Sequence, residues 1–128
     1  MTQAGQVYRC YVCGNVVEVL TPGVGELVCC GARMVLLTEK GEQAGRELHV
    51  PVIERTGVGV FVRAGQIAHP MEPSHFIEWL EVRCGGHVYR RNLKPQEPPE
   101  AEFAGLTGDL VVRACCNRHG LWRAVAKA

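Results

Sequence analysis

Apolar and polar positions alternate in short runs along this chain, and few stretches show the i, i+3, i+4 spacing of an amphipathic helix. The alternation predicts strands over Val16 to Leu20, His49 to Glu54, Val58 to Val62, Phe76 to Val82 and Asp109 to Ala114. Turn signals separate them at Pro22-Gly23, Gly57, Gly85-Gly86 and Pro98-Pro99. Eighteen valines and fifteen glycines fit the same picture of strands joined by turns. Short strands at this spacing predict an all-β chain with a sandwich, not alternating β and α units. There is no internal repeat and no low-complexity tract. Within the last predicted strand and its extension, period two places Leu110, Val112, Ala114 and Cys116 on one face. Arg113 and Cys115 fall on the other, where Arg113 is expected to meet solvent.

The polar stretch TEKGEQAG, Thr38 to Gly45, reads as a boundary between two metal-rich segments. Residues 1–37 are too few to bury a stable core alone, so that piece needs a metal, a partner chain or both. Residues 38–128 are enough for one compact β domain. With 47% hydrophobic residues among 128, disorder is excluded. The formal net charge of +1 gives no footprint for nucleic acid or anionic lipid. No apolar run approaches the roughly 18 residues of a membrane helix, and Met1 to Arg9 lacks the apolar core of a signal peptide. A cytoplasmic location is therefore expected.

The chemistry lies in seven cysteines and five histidines. An odd cysteine count in a reducing compartment argues for metal thiolates over disulfides. Cys10-Tyr11-Val12-Cys13-Gly14 places two sulfurs on one tight turn, with Gly14 freeing backbone N–H groups to point at a sulfur. Cys29 and Cys30 follow as an adjacent pair. Neighbours in a regular strand face opposite ways, so this pair reaches one ion only from a bend, which Gly31 makes feasible. Four thiolates suit tetrahedral zinc or a single iron. A thioredoxin-type pair lacks its βαβ surroundings. The second constellation is His49, His69, His75 and the run Cys116-Asn117-Arg118-His119. Four imidazoles and one thiolate exceed a structural zinc set; five donors on an octahedral-type ion leave a sixth position for a small exogenous ligand, which suits iron. A thiolate opposite that position pushes electron density towards a bound oxygen species. Cys84 and Cys115 are expected to be buried or half-buried apolar residues, and His87 a surface histidine beside its glycine turn.

Together, the segments YRCYVCGNVVEVL, GELVCCG, HVPVIE, AHPMEPSHFIEWLE, LKP with PEAEF, and CNRHGLW resemble the desulfoferrodoxin family, the two-iron superoxide reductases, over essentially the whole chain. The resemblance implies a desulforedoxin-like domain, with Cys10, Cys13, Cys29 and Cys30 holding a distorted FeS4 centre. It implies an immunoglobulin-like β-sandwich, with His49, His69, His75 and His119 equatorial and Cys116 axial on a catalytic iron. The cofactors would be two iron ions per chain. The reaction would be one-electron reduction of superoxide to hydrogen peroxide, with an external donor such as rubredoxin returning the electron, in a homodimer. Glu47 matches the glutamate that occupies the open position after oxidation.

One position departs from the pattern. The family commonly reads Glu-Lys-His where this chain has Glu47-Leu48-His49. That lysine is held to attract the superoxide anion and help deliver a proton. Leu48 has neither charge nor transferable proton. Steering is thus expected to be weaker or relocated, to Arg46 or to Arg118 if it faces the site, with protons drawn from solvent. A second reading is an iron-binding electron carrier that reacts poorly with superoxide, and a third is a zinc-stabilised binding module.

Overall fold

The computed structural model describes all 128 residues, Met1–Ala128, and the chain divides into two compact units, Met1–Thr38 and Glu39–Ala128. The first unit is a three-stranded antiparallel sheet and a small hairpin. Its strands are β1 (Val7–Arg9), β2 (Val16–Glu18), β3 (Val28–Cys29), β4 (Ala32–Arg33) and β5 (Val35–Leu36), with sheet order β2-β1-β5 and β3 paired to β4. Val7, Cys10, Val19 and Leu37 are its buried apolar residues, too few to hold so short a segment together unaided.

The second unit is a β-sandwich. Its elements are β6 (Glu39–Lys40), the single-turn α1 (Arg46–His49), β7 (Pro51–Arg55), β8 (Gly59–Ala64), β9 (Ile77–Cys84), β10 (His87–Asn92), β11 (Glu100–Ala104), β12 (Leu110–Cys116) and β13 (Gly120–Ala126). One sheet runs β10-β9-β12-β13-β6 and the other β11-β8-β7. All pairings are antiparallel except that of β6 with β13. Val60, Val62 and Ala64 of one sheet face Leu80, Val82, Leu110, Val112, Ala114 and Cys116 of the other, and these form one buried apolar cluster. The predicted inward face of β12 is thus the observed one. No helix is long and apolar enough to cross a membrane.

Several sequence expectations change here. His49 does not begin a strand: it ends α1, whose first residue follows Gly45 in the left-handed region. Pro51 forces Val50 into an extended conformation, which ends the turn and starts β7. The TEKGEQAG stretch contributes β6 and the approach to α1, so it is not a bare linker. Strands β10, β11 and β13 carry too many polar or small residues to have stood out by alternation.

Arg113 is the plainest correction. It is 2% exposed, not solvated, because Glu81 lies directly opposite it on β9. Arg113 Nε and Arg83 Nε donate to Glu81 Oε1 at 2.7 and 2.8 Å, and Arg90 binds Oε2 from the other neighbouring strand. Trp79 lies under the guanidinium groups of Arg90 and Arg113 on the same face. Burial pushes the Glu81 carboxyl up, but the three guanidinium groups more than offset this and hold it below the usual carboxylate range.

Candidate metal centres

The two-residue connection between β3 and β4 explains the adjacent cysteines. Val28 pairs with Arg33 and Cys29 with Ala32, leaving Cys30 and Gly31 as the turn. Both have positive φ, 55° and 73°, the conformation that a tight hairpin of this length demands. The left-handed Cys30 turns its side chain back beside Cys29, so both sulfurs meet the Cys10/Cys13 turn. Cys13 Sγ is 3.6 Å from Cys29 Sγ, which is 3.9 Å from Cys30 Sγ. All four sulfurs lie within 4.8 Å of one another, and none forms a disulfide. Sulfurs at ~2.3 Å from a tetrahedral ion are ~3.8 Å apart, so the donor set fits one ion.

Charge in this group is unevenly shared. The backbone N–H of Cys13 holds the Cys10 thiol at about 6 against the opposing effect of burial, helped by the Val12 N–H. Hydrogen bonds with the Cys13 and Cys29 sulfurs push Cys30 up to about 12. Four thiolates cannot coexist without a cation between them. The backbone N–H groups of this turn do point at a sulfur, as expected, and the Gly14 N–H itself donates to the Cys10 carbonyl at 2.8 Å and closes the turn.

The imidazole group forms where strand ends of the sandwich meet. His49 ends α1, His69 follows β8, His75 precedes β9, and Cys116 ends β12 at a register shift. His119 sits in the three-residue turn between Cys116 and Gly120, whose φ of 82° suits this connection. Asn117 ties two of these segments together: its Oδ1 accepts the Phe76 N–H at 3.0 Å and its Nδ2 donates to the Ser74 carbonyl at 3.1 Å. The His75 loop is thereby fixed against the His119 turn.

The four rings close a cycle. His49–His69, His69–His75, His75–His119 and His119–His49 have centroids 4.7, 4.7, 4.9 and 5.1 Å apart, with interplanar angles of 66–79°. His49 Nδ1–H donates to the Gly45 carbonyl at 2.8 Å and His69 Nδ1–H to the Pro70 carbonyl at 2.7 Å. A carbonyl can only accept, so both protons are fixed on Nδ1 and both Nε2 atoms present lone pairs. Those two Nε2 atoms are 3.0 Å apart, and His75 Nε2 is 3.2 Å from His119 Nδ1. Cys116 Sγ, fully buried, is 3.4 Å from His69 Nε2 and 3.7 Å from His119 Nδ1.

Such converging donors are placed to share one cation. Nitrogens at right angles and ~2.1 Å from an ion are ~3.0 Å apart, the spacing of an equatorial square rather than a tetrahedron. Five donors and that spacing fit an iron-type ion better than structural zinc. Burial lowers the basicity of all three of His49, His69 and His75, most for His69, which falls to about 4 although the Pro70 carbonyl opposes it. His69 in particular stays neutral, and able to bind metal, in mild acid. The linkage has a definite sign. An unfolded histidine protonates near 6.5, and His69 in the fold only near 4, so between those values the unfolded chain binds more protons. Stability of the metal-stripped chain is expected to be full above about pH 6.5 and to decline as pH falls towards about 4. Urea unfolding across this range checks it, and a constant midpoint would contradict it.

Of the other residues singled out in the sequence, Glu47 and Arg46 lie exposed on α1, beside a cleft of about 490 Å³ also lined by Glu42 and Gln66. Glu47 is not among the converging donors. Arg46 Nη1 is 2.9 Å from Glu42 Oε2, and this ion pair offsets its charge. Arg118 is exposed and close enough for its charge to be felt at His75. Cys115 is fully buried, Cys84 half-buried and His87 exposed. Lys40 and Trp122 fit no ligand pattern in the sequence, yet both touch this group. Trp122 stacks on His49 at 4.7 Å and 13°, and Lys40 Nζ donates to the His119 carbonyl at 3.1 Å.

Residues 2–37 match the family model Desulfoferrodoxin, N-terminal domain, and residues 39–125 match the family model Desulfoferrodoxin. The chain is 53% identical over 122 residues to a desulfoferrodoxin from Syntrophotalea carbinolica, covering 95% of this chain and 97% of that protein. Its fold resembles the superoxide reductase of Treponema pallidum with a TM-score of 0.74 at 23% identity, over 93% of this chain and 95% of that one. It also resembles the superoxide reductase (1Fe-SOR) of Giardia intestinalis, with a TM-score of 0.58 at 25% identity, over 64% of this chain and 99% of that one.

Proposed function

The chain belongs to the desulfoferrodoxin family, and from that premise we propose that it is a superoxide reductase with its reaction site at His49, His69, His75, His119 and Cys116. The observation that carries this reading is the closed cycle of four imidazoles with a buried thiol among the donors. Residues 1–37 would form the desulforedoxin-like domain, with Cys10, Cys13, Cys29 and Cys30 holding a second iron, and residues 38–128 the catalytic domain. Ferrous iron in the imidazole group would supply one electron to superoxide, which takes up two protons to become hydrogen peroxide, and an external one-electron donor such as rubredoxin would restore the ferrous state.

The chain's own part is to hold and isolate. The Gly45 and Pro70 carbonyls fix two imidazoles in the tautomer that binds metal, so little reorganisation accompanies a change of oxidation state. Asn117 holds the other two segments. Cys116 donates from the sandwich core, and the exposed His119 marks the side open to solvent. Leu48 offers no proton, so protons arrive from water at that side. Glu47, one residue further from His49, would close the open position between turnovers.

The test is metal content, the visible spectrum and stopped-flow mixing with superoxide. Iron bound by thiolates absorbs strongly, and zinc with its full d shell is colourless. Cys116→Ser is expected to remove the sulfur-to-iron band of the imidazole site while leaving the four-cysteine band in place. It is also expected to lower the oxidation rate at least about tenfold. Stoichiometric zinc in protein from iron-replete cells would overturn the proposal. Leu48 favours a second reading, an electron carrier; an iron-loaded chain that exchanges electrons but does not react with superoxide would establish it instead.

A further inference from the structure

The position before His49 carries no charge, and the Arg46 guanidinium is held by Glu42. Another cation is built into the site from a distant segment. Lys40 lies on β6, whose parallel pairing with β13 sets Lys40 beside Trp122. Its ammonium donates to the His119 carbonyl at 3.1 Å, the same oxygen that accepts Trp122 Nε1–H at 2.9 Å. It also lies 5.4 Å from the centroid of the Trp122 ring, the ring that stacks on His49. Gly120 lies beside it: a Cβ there would be in ordinary contact with Nζ at 3.6 Å. No carboxylate lies within ion-pair distance of this ammonium, and its charge is felt at His49.

We propose that Lys40 is the positioned positive charge of this site, held by the His119 carbonyl and Trp122, and that it draws small anions to the imidazole group. Resting on the reductase reading, the proposal names the residue that attracts its anionic substrate. Two contacts hold the ammonium in place, so its field acts on an approaching anion without the cost of ordering a flexible chain. Arg118, the other nearby cation, is exposed and held by no hydrogen bond, so its charge is better screened by salt.

The experiment uses the iron-loaded chain and azide as a probe anion. Lys40→Met keeps the stem over Trp122 and removes the charge; Lys40→Arg keeps the charge. Azide affinity of the oxidised protein is expected to fall about three- to tenfold in Lys40→Met at low ionic strength, with a flatter salt dependence, and to return in Lys40→Arg. The rate of oxidation by superoxide should follow the same order. Unchanged azide affinity and salt dependence in Lys40→Met would overturn the proposal. So would a pattern in which both variants lose iron alike with the native salt dependence, since Lys40 would then only brace the His119 turn. An azide effect in a protein that never reacts with superoxide would support Lys40 as the anion-attracting charge and sink the reductase reading.

Discussion

Gly65→Ala is expected to weaken metal binding at the imidazole group about 10- to 100-fold and to lower stability by about 2–5 kcal/mol. Gly65 follows β8 with φ 77°, a conformation costing an alanine about 1–2 kcal/mol. A Cβ would also sit 2.5 Å from the Leu48 carbonyl oxygen and 2.7 Å from that of Glu47. Neither contact can be relieved by rotating a side chain, because both partners are backbone. That backbone is itself fixed: the Gly65 N–H donates to the Val50 carbonyl at 3.1 Å and the Ile67 N–H to the Glu47 carbonyl at 2.9 Å. The only outlet is displacement of α1, which carries His49 away from His69, and their 3.0 Å approach is one side of the square. Cobalt(II) titration and urea unfolding read the two effects separately. Gly57→Ala, where nothing lies within 4 Å, should shift neither by more than about 0.5 kcal/mol. Equal affinity in Gly65→Ala and the native chain would show that α1 is not clamped in this way.

Glu81→Ala is expected to cost about 3–5 kcal/mol. The carboxylate is fully buried and serves Arg113, Arg90 and Arg83 together, so its loss leaves the buried Arg113 guanidinium without its closest anion. Glu39 Oε2, 3.3 Å from Arg113 Nη1, cannot replace it because Glu39 is much more exposed. Glu81→Gln, which keeps an acceptor, should fall between the native chain and Glu81→Ala. Replacing the pair together, as Glu81→Leu with Arg113→Met, should be less costly than Glu81→Ala alone, since no buried charge is stranded. The pH dependence has the opposite origin to that of the histidines but the same sense. A carboxyl held low in the fold contributes stability above its unfolded pKa, and loses it as pH falls through the lower, folded value. Unfolding midpoints of Glu81→Gln should therefore vary less with pH below about 4.5 than those of the native chain. Identical pH profiles would contradict this account.

Much of the site could be read from the chain because its donors are local in sequence or regular in pattern. The C-x-x-C turn and the adjacent cysteine pair announce one group, and period two along β12 placed Cys116 inward. What period two cannot say is what lies opposite an outward residue. For Arg113 the pattern gives the correct face and the wrong environment, because Glu81 is 32 positions away on a neighbouring strand. Lys40 was hidden for a related reason. Its two-residue strand has no detectable alternation, and its partner β13 begins 80 residues later. Gly65 sits in no turn signature, and its requirement comes from the backbone of Glu47 and Leu48 passing beside it. Residues that act by covering or bracing others leave little trace in one-dimensional spacing.

The seven sulfurs differ sharply in how far they can be reached from solvent. Cys116 is fully buried in the sandwich core, whereas Cys13 and Cys30 are exposed on the hairpin and turn of the first unit. The reaction proposed above would release peroxide beside the protein, and thiolates that meet peroxide climb to sulfenic and then irreversible acids. Oxidative wear should therefore begin at the small unit and spare the buried Cys116. Under the proposed activity, an ageing population of this protein would lose its four-cysteine colour first and its reactivity last.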